Sequence, residues 1–239
     1  ERTMAKRKKS TAGKLSIDAM RQMINKSAGM DVAHNLEEDN PTDVKEWIPT
    51  GSTWLDSIVA KGKKGGIPIG KVTELAGLES TGKSYMALQV AANAQKMGID
   101  VIYFDAESAI DSKFVKAIGV DTSKMIYIQP PSVEFVLETI ESLLESNENR
   151  MLFIWDSLAF TPALTDVEGD FNPQSSMAVK ARVLAKAMSK LAVPIAVSQS
   201  TLLVLNQLKT NIATGPGAHI AAMTTPYVTP GGKAMNYAY

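Results

Sequence analysis

The sequence predicts an α/β protein with a mainly parallel sheet, helices on both faces, and a small N-terminal helical segment before it. From residue 71 onward, short apolar strands alternate with helical patterns. That order of elements lays strands side by side in parallel. Several of these strands are apolar throughout, as strands buried on both faces are. The 239 residues are enough for one large domain with a small appendage.

Composition excludes several classes of site. There are no cysteines, which rules out a disulfide framework, a zinc ribbon and a thiol nucleophile. His34 and His219 are the only histidines, and neither has metal-ligand neighbours at suitable spacing. Basic and acidic residues balance at 25 each, so affinity for nucleic acid has to come from local patches or assembly. No apolar run approaches the roughly 18 residues of a membrane span, and we expect a cytoplasmic protein without membrane contact.

The N-terminal part reads as a segment separate from the core. Residues 1–14 are basic and polar; such an arm could touch nucleic acid, although a solvated tail is the commoner case. Apolar residues at helical spacing predict an amphipathic helix over 15–30, and the acidic stretch 34–43 reads as a linker. We therefore divide the chain into an arm, helix and linker (1–46) and a folded core (47–239).

The core begins with a turn and a short helix. Residues 48–58 carry a turn signal, a helix N-cap at Ser52 or Thr53, and an apolar face. That face is made by Trp54, Leu55 and Ile58. Residues 61–66 form a basic, glycine-containing loop that leads into the next strand.

Residues 77–84 read GLESTGKS and match the phosphate-binding pattern GxxxxGK[ST] at every fixed position. A strand is predicted before them (71–76) and a helix after them (84–97, ending at Gly98), which is the context the motif needs. The glycines let backbone N–H groups approach phosphate oxygens, and the helix N-terminus favours negative charge. An incidental glycine turn would lack these flanking elements. We predict nucleotide contacts from Gly77, Leu78, Glu79, Ser80, Thr81, Gly82, Lys83, Ser84 and Tyr85, with Lys83 on the β and γ phosphates and Ser84 on Mg²⁺.

Further strands and helices alternate beyond this motif. Strands are predicted at 100–107, 125–129, 151–156 and 201–207, and helices at 111–118, 132–146 and 175–191. Ligands of such sheets bind beyond the carboxyl ends of the strands, so polar residues at those ends are the candidates for chemistry.

Three strand ends carry such residues. Asp156 closes an apolar strand, where an acid orients Mg²⁺, usually through water; capping a turn is the alternative. Glu107 follows another strand and could polarise the water that attacks the γ-phosphate, or act as a helix-capping or ion-pairing acid. Gln207 could hydrogen-bond the γ-phosphate and lose that bond on hydrolysis, which would couple nucleotide state to the next segment.

Two irregular segments leave strand ends. Residues 161–176 carry Asp166, Glu168 and Asp170 and no base, which disfavours direct phosphate contact through charge; a plain connection is equally typical. Residues 208–232 are rich in Gly, Ala, Thr and Pro with few charges. We expect a mobile loop there and regard it as a candidate switch.

From residue 47 to residue 239 the sequence resembles the bacterial RecA recombinase family. The resemblance rests on ordered blocks: IPTGSTWLD (48–56), GIPIGKVTELAGLESTGKS (66–84), YFDAESAID (103–111), IGVD (118–121), WDSLAFTP (155–162), TLLVLNQ (201–207) and PGGKAMNY (230–237).

For the nucleotide site, the resemblance implies a P-loop NTPase fold of RecA type with ATP and Mg²⁺ as cofactors. Glu107 matches the family's catalytic glutamate and acts there beside Lys83. Asp156 matches the Mg²⁺-associated aspartate, and Gln207 the glutamine that senses the γ-phosphate. Asp111 and Phe114 match positions that hold the adenine ring.

For partners, the resemblance implies single-stranded and double-stranded DNA, self-association into a helical filament, and roles in recombination, repair and the SOS response. Residues 161–176 and 208–229 match the family's two DNA-binding loops, and the early helix matches one that docks on the adjacent subunit. The candidate DNA contacts are Lys209, Asn211, Gly215, Gly217, His219, Gly231 and Gly232. The second loop departs from the family in lacking arginine.

The predicted function is therefore an ATP-dependent recombinase that pairs and exchanges DNA strands. Family members continue past the position of Tyr239, so we expect a C-terminally incomplete core. A ring-forming helicase or clock-type ATPase with the same core is one alternative. A non-catalytic nucleotide-binding regulatory paralogue is another, and the presence of Lys83, Glu107 and Asp156 counts against it.

Overall fold

The structure is a computed structural model that describes residues 14–29, 31–37, 43–62, 65–168, 173–210, 220 and 223–230. The chain divides into two compact units, Glu1–Asp43 and Val44–Tyr239. In the ranges described, no helix has the length and apolar character needed to cross a membrane. The assignment of residues 1–46 to subunit docking stays a prediction.

Among the described residues of the first unit there is one helix, α1 (Ile17–Ala28), within the predicted range 15–30. It begins where the Ser16 hydroxyl accepts the Ala19 N–H at 3.2 Å and ends at Gly29, whose φ of 71° is left-handed. These are standard N-cap and C-cap devices. The amphipathic helix predicted here is present, and its apolar residues Ile17 and Met23 stay 80% and 59% exposed.

The second unit opens with an antiparallel pair, β1 (Trp47–Ile48) and β2 (Ile67–Pro68), with helix α2 (Thr53–Val59) between them. Ser52 is the N-cap, since its hydroxyl accepts the Leu55 N–H at 3.4 Å. The predicted apolar face of α2 does not enter the core, because Trp54 and Ile58 are 82% and 68% exposed.

A five-stranded parallel sheet forms the centre of this unit, and the predicted α/β fold is confirmed. Its strands lie in the order β3-β7-β6-β4-β5. They are β3 (Val72–Gly77), β4 (Asp100–Asp105), β5 (Met125–Ile128), β6 (Met151–Asp156) and β7 (Thr201–Gln207). The connecting helices are α3 (Lys83–Lys96), α4 (Ser112–Ile118), α5 (Val133–Ser146), α6 (Leu164–Glu168) and α7 (Pro173–Val197), with a 3-10 turn at Thr122–Lys124.

Strand β6 shows how the core is built. All six of its residues are buried, because helices cover both faces of the sheet. Phe153 and Trp155 point to the face covered by α5 and α7, and Leu152 and Ile154 to the face covered by α3. The continuous apolar run of this strand therefore reflects burial on two sides.

The prediction of an irregular segment over 161–176 is wrong in its middle and at its end. Helix α6 forms because the Glu134 carboxylate accepts the Leu164 N–H at 2.8 Å and Asp166 accepts the Ala163 N–H at 3.1 Å. Helix α7 starts at Pro173 and runs past the predicted end at residue 191. It continues because Ile195 is fully buried.

The segment 208–232 is also not irregular throughout. Two short strands, β8 (Lys209–Thr210) and β9 (Tyr227–Val228), pair antiparallel near its ends. Lys209 lies opposite Val228 and Thr210 opposite Tyr227. Sequence periodicity could not reveal a ladder of two residues on each side.

We predict that Phe153→Ala lowers the free energy of unfolding by about 3–5 kcal/mol, because it leaves a cavity between the sheet and its helices. Phe160→Ala is the matched control, since that ring is 53% exposed, and we expect a change within about 0.5 kcal/mol. Urea unfolding followed by circular dichroism measures both. Equal losses for the two variants would contradict the assignment of Phe153 to the core.

Candidate nucleotide-binding site

In the loop between β3 and α3, the lysine side chain is hydrogen-bonded to backbone carbonyl oxygens of the same loop. Lys83 Nζ donates to the carbonyl oxygens of Gly77 at 3.2 Å and Leu78 at 2.7 Å. Thr81 Oγ1 also donates to Leu78 O, at 2.8 Å. Gly82 has a φ of 87°, in the left-handed region that favours glycine. A side chain at Gly77 would come within 2.9 Å of Thr81 Oγ1, so both glycines are required by the shape of the loop.

Helix α3 begins at Lys83 without any side-chain cap. The first N–H groups of a helix have no partner within it, and with the helix dipole they attract anions. An ammonium group, an uncapped helix end and a glycine-shaped loop therefore coincide. Phosphate is the ligand that this combination suits.

The structure brings eleven of the predicted site residues together around one cleft of about 380 Å³. Its walls come from the phosphate loop and from the ends of three strands. The lining residues are Glu79, Ser80, Thr81, Gly82, Lys83, Ser84, Tyr85, Glu107, Phe114, Asp156 and Gln207. Parallel strands cause this meeting, because their carboxyl ends share one edge of the sheet.

Asp156 is the most deeply buried acid of the cleft, at 4% exposure. Burial raises the pKa of its carboxyl group, while hydrogen bonds from the Ser84 and Tyr103 hydroxyls lower it and the charges of Glu107 and Asp105 raise it again. The Tyr103 hydroxyl donates to Asp156 Oδ2 at 2.7 Å. Burial, followed by the charge of Asp156, raises the pKa of this phenol well above its usual value, so it stays a donor.

Glu107 is held by two side chains from neighbouring strand ends. Its Oε1 accepts a hydrogen bond from the Ser157 hydroxyl at 2.7 Å and one from Gln207 Nε2 at 3.4 Å. Its backbone N–H donates to Asp105 Oδ1 at 3.1 Å. The predicted base and the predicted sensor of the γ-phosphate are thus in direct contact.

Of the two residues predicted to hold the adenine ring, Phe114 lines the cleft and Asp111 does not. Phe114 lines the cleft and pairs with Tyr85, with ring centroids 6.2 Å apart. Asp111 accepts the Lys113 N–H at 3.1 Å and caps helix α4. Asp111 does not line the cleft as described, and its contact with a base stays a prediction.

Both ends of the segment after β7 are tied to the sheet beside the phosphate loop. The Leu208 N–H donates to Gly77 O at 3.0 Å. Asn206 Nδ2 donates to Glu74 Oε1 at 2.8 Å and to Pro230 O at 2.9 Å. Lys209 is exposed on β8. The other predicted DNA contacts, Asn211, Gly215, Gly217, His219, Gly231 and Gly232, lie outside the described residues.

Sequence reasoning missed three polar residues of this region, which are Tyr103, Ser157 and Lys180. Lys180 lies on α7, and its Nζ donates to Leu158 O at 2.5 Å and Thr161 O at 2.7 Å. These hydrogen bonds stabilise the turn that follows Asp156. Burial lowers the pKa of this amine to about 8. The one signal of this role in the sequence is that a lysine stands among the core-facing positions of α7.

Known proteins are similar to this chain over most of its length. A family model of the RecA N-terminal domain matches residues 15–239. Proteins named Protein RecA from Bifidobacterium breve, Streptomyces avermitilis and Aquifex aeolicus are 35%, 35% and 37% identical to this chain over 224, 222 and 192 residues. These alignments cover 94%, 93% and 80% of this chain, and 54%, 55% and 52% of the relatives. The chain therefore spans about half the length of the curated relatives that it matches.

We predict that the free energy of unfolding rises between pH 8 and pH 10 because of Lys180. Its amine loses its proton near pH 8 when folded but near pH 10.4 in an unfolded chain. The unfolded state binds more protons in this window, so stability increases with pH, by at most about 1.4 kcal/mol per pH unit. Urea unfolding across this range measures the rise.

Lys180→Met should remove this contribution to the rise. Lys186→Met is the control, since Lys186 is exposed on the same helix, and it should keep the slope of the parent chain. A slope that is the same in all three proteins would contradict the burial of the Lys180 amine.

Proposed function

Since the chain belongs to the RecA family, we propose that it is an ATP-dependent DNA recombinase. It binds single-stranded DNA as a helical filament and promotes homologous pairing and strand exchange in recombination and repair. ATP and Mg²⁺ are its cofactors, and it works in the cytoplasm.

ATP binds in the cleft between the phosphate loop and the strand ends. The phosphates take the uncapped N-terminus of α3 and the Lys83 ammonium, which exchanges the Gly77 and Leu78 carbonyl oxygens for phosphate oxygens. The Tyr85 and Phe114 rings offer a stacking surface to the adenine base.

The donors beside the phosphate loop fit Mg²⁺. A hydroxyl (Ser84) and a buried carboxylate (Asp156) both line the cleft, and Mg²⁺ is typically held by one or two such oxygens together with phosphates and water. When bound, the ion neutralises charge on the phosphates. Ser84 would ligate it directly, and Asp156 would orient its water.

The observation that carries the proposal is the bonding of Glu107. One of its carboxylate oxygens accepts hydrogen bonds from both Ser157 and Gln207. Ser157 fixes the carboxylate so that it can take a proton from the water that attacks the γ-phosphate. Gln207 can exchange Glu107 for a γ-phosphate oxygen, which ties the position of its amide to the nucleotide.

The same strand end transmits that change. Leu208, directly after Gln207, is bonded to Gly77 of the phosphate loop. The segment that follows (208–229) and the segment 161–176 contact DNA, with Lys209 among the basic residues available. The nucleotide bound in the cleft thereby sets the affinity for DNA, because Gln207 connects the γ-phosphate to the segment that contacts DNA.

Assembly completes the proposal. The helix and linker within 1–46 dock on the adjacent subunit and build the filament. The exposed apolar residues Ile17 and Met23 of α1 provide a surface that such docking would cover. The filament then brings single-stranded and double-stranded DNA together.

We predict that Glu107→Gln keeps ATP binding and lowers the rate of ATP hydrolysis by about 10²- to 10⁴-fold, which is the usual contribution of a general base. The amide keeps the size of the side chain but cannot take the proton. Glu138→Gln, on the exposed side of α5, is the control and should hydrolyse ATP as the parent does. Phosphate release and equilibrium ATP binding measure the two effects. Turnover at the parent rate in Glu107→Gln would remove Glu107 from the catalytic role.

We predict that Gln207→Ala still binds ATP but no longer forms ATP-dependent filaments on single-stranded DNA, because the amide that reads the γ-phosphate is gone. Gln129→Ala is the matched control. Gln129 also follows a strand end, but its Nε2 donates to Ser108 Oγ at 2.9 Å and not to Glu107.

Anisotropy of a labelled oligonucleotide with ATP or ADP, followed by electron microscopy, makes the measurement. Helical filaments in the parent and in Gln129→Ala support the proposal. Closed rings would favour a ring-forming helicase instead, and equal ATP dependence of DNA binding in Gln207→Ala would contradict the sensing role.

A further inference from the structure

A buried tyrosine hydroxyl lies beside the acids of the cleft, and the proposed binding and hydrolysis of ATP give it no role. Tyr103 on β4 has no exposed surface. Its hydroxyl donates to Asp156 Oδ2 at 2.7 Å. A tyrosine hydroxyl buried in a core needs a partner, and here that partner is the one acid assigned to the metal ion.

Strand register explains how the contact arises. Asp156 on β6 lies opposite Asp105 on β4, and Tyr103 is two residues before Asp105. Residues two apart on a strand point to the same face, so Tyr103 is the diagonal neighbour of Asp156 on the adjacent strand. The side chain of Tyr103 is long enough to reach this neighbour, since its hydroxyl lies 2.7 Å from Asp156 Oδ2.

The acids around this hydroxyl explain why a neutral donor is useful here: it can orient a carboxylate without cancelling its charge. Asp105 and Asp156 lie opposite each other at the ends of β4 and β6, and Glu107 follows Asp105 by two residues. A cation in this position would form an ion pair. A phenol instead holds one carboxylate oxygen while the carboxylate keeps its negative charge.

We propose that Tyr103 is a positioning residue for Mg²⁺: its hydroxyl holds Asp156 in the orientation in which this carboxylate, together with Ser84, binds the hydrated ion of the nucleotide. The inference rests on the proposed nucleotide-binding function. Partners that orient a metal-binding carboxylate typically change metal affinity by 10- to 100-fold when they are removed.

The chain contains a matched control. Tyr127 on β5 lies opposite Tyr103, and its hydroxyl donates to Asp105 Oδ2 at 2.8 Å. The relation is again diagonal, between neighbouring strands and toward an acid at a strand end. Asp105 is held in addition by the backbone N–H groups of Glu107 and Ile110. Tyr127→Phe thus removes a phenol hydrogen bond of similar length, from a ring that is 42% exposed, without touching Asp156.

The test is ATP binding measured over a series of Mg²⁺ concentrations for the whole chain. In Tyr103→Phe, the Mg²⁺ concentration for half-maximal binding should rise about tenfold or more, while binding in EDTA stays as in the parent. Tyr127→Phe should show the parent midpoint. An unchanged midpoint in Tyr103→Phe overturns the inference, and so does an equal loss of binding with and without Mg²⁺, which would indicate a purely structural role.

A measurement on the parent chain decides the matter if Tyr103→Phe does not fold. The chain has six tyrosines, and with ¹³C at the hydroxyl-bearing ring carbon the signal of Tyr103 is assigned by replacing each of the other five. This signal should shift when Mg²⁺ is added to the ATP-bound chain. No shift overturns the inference, whereas failure of the parent to bind ATP at any Mg²⁺ concentration overturns the proposed function as well.

Discussion

Parallel pairing of β3, β7, β6 and β4 is the constraint on which the rest of the structure depends. The β3–β7 and β4–β6 pairs stay in register to their last residues, with Gly77 opposite Gln207 and Asp105 opposite Asp156, and β6 pairs with β7 up to Trp155 opposite Val204. The ends of separate stretches of sequence therefore meet at one edge. The same pairing crowds the carboxylates of Asp105, Glu107 and Asp156 together, and neutral hydroxyl and amide groups donate hydrogen bonds to all three.

The sheet and the cleft could be predicted from the sequence because their signals are local. Apolar runs mark β6 and β7, and the fixed residues of the phosphate loop define its own shape. Each strand end that carries a polar residue points to the same edge once the strands are parallel. For this reason Glu107, Asp156 and Gln207 could be named as partners in one site although about 100 residues separate the first from the last.

What the sequence could not predict depends on contacts between distant residues. Tyr103 reads as one more apolar strand residue until the strand register makes it the diagonal neighbour of Asp156. Helix α6 has only five residues and takes part of its capping from Glu134 on another helix. Lys180 looks like an ordinary helix lysine until α7 lies against the turn after Asp156. In each case tertiary contact supplies what local propensity lacks.

The ties at Leu208 and Pro230 have a consequence for the entropy of binding. Closing a loop of free chain costs free energy that grows with the logarithm of its length. Here the hydrogen bonds at Leu208 N and Pro230 O, and the pairing of Lys209 with Val228, close the segment in the folded chain before any ligand arrives. The two ends of this segment are therefore already held together when a ligand binds to it. The free energy of binding does not have to include the entropy cost of bringing these ends together.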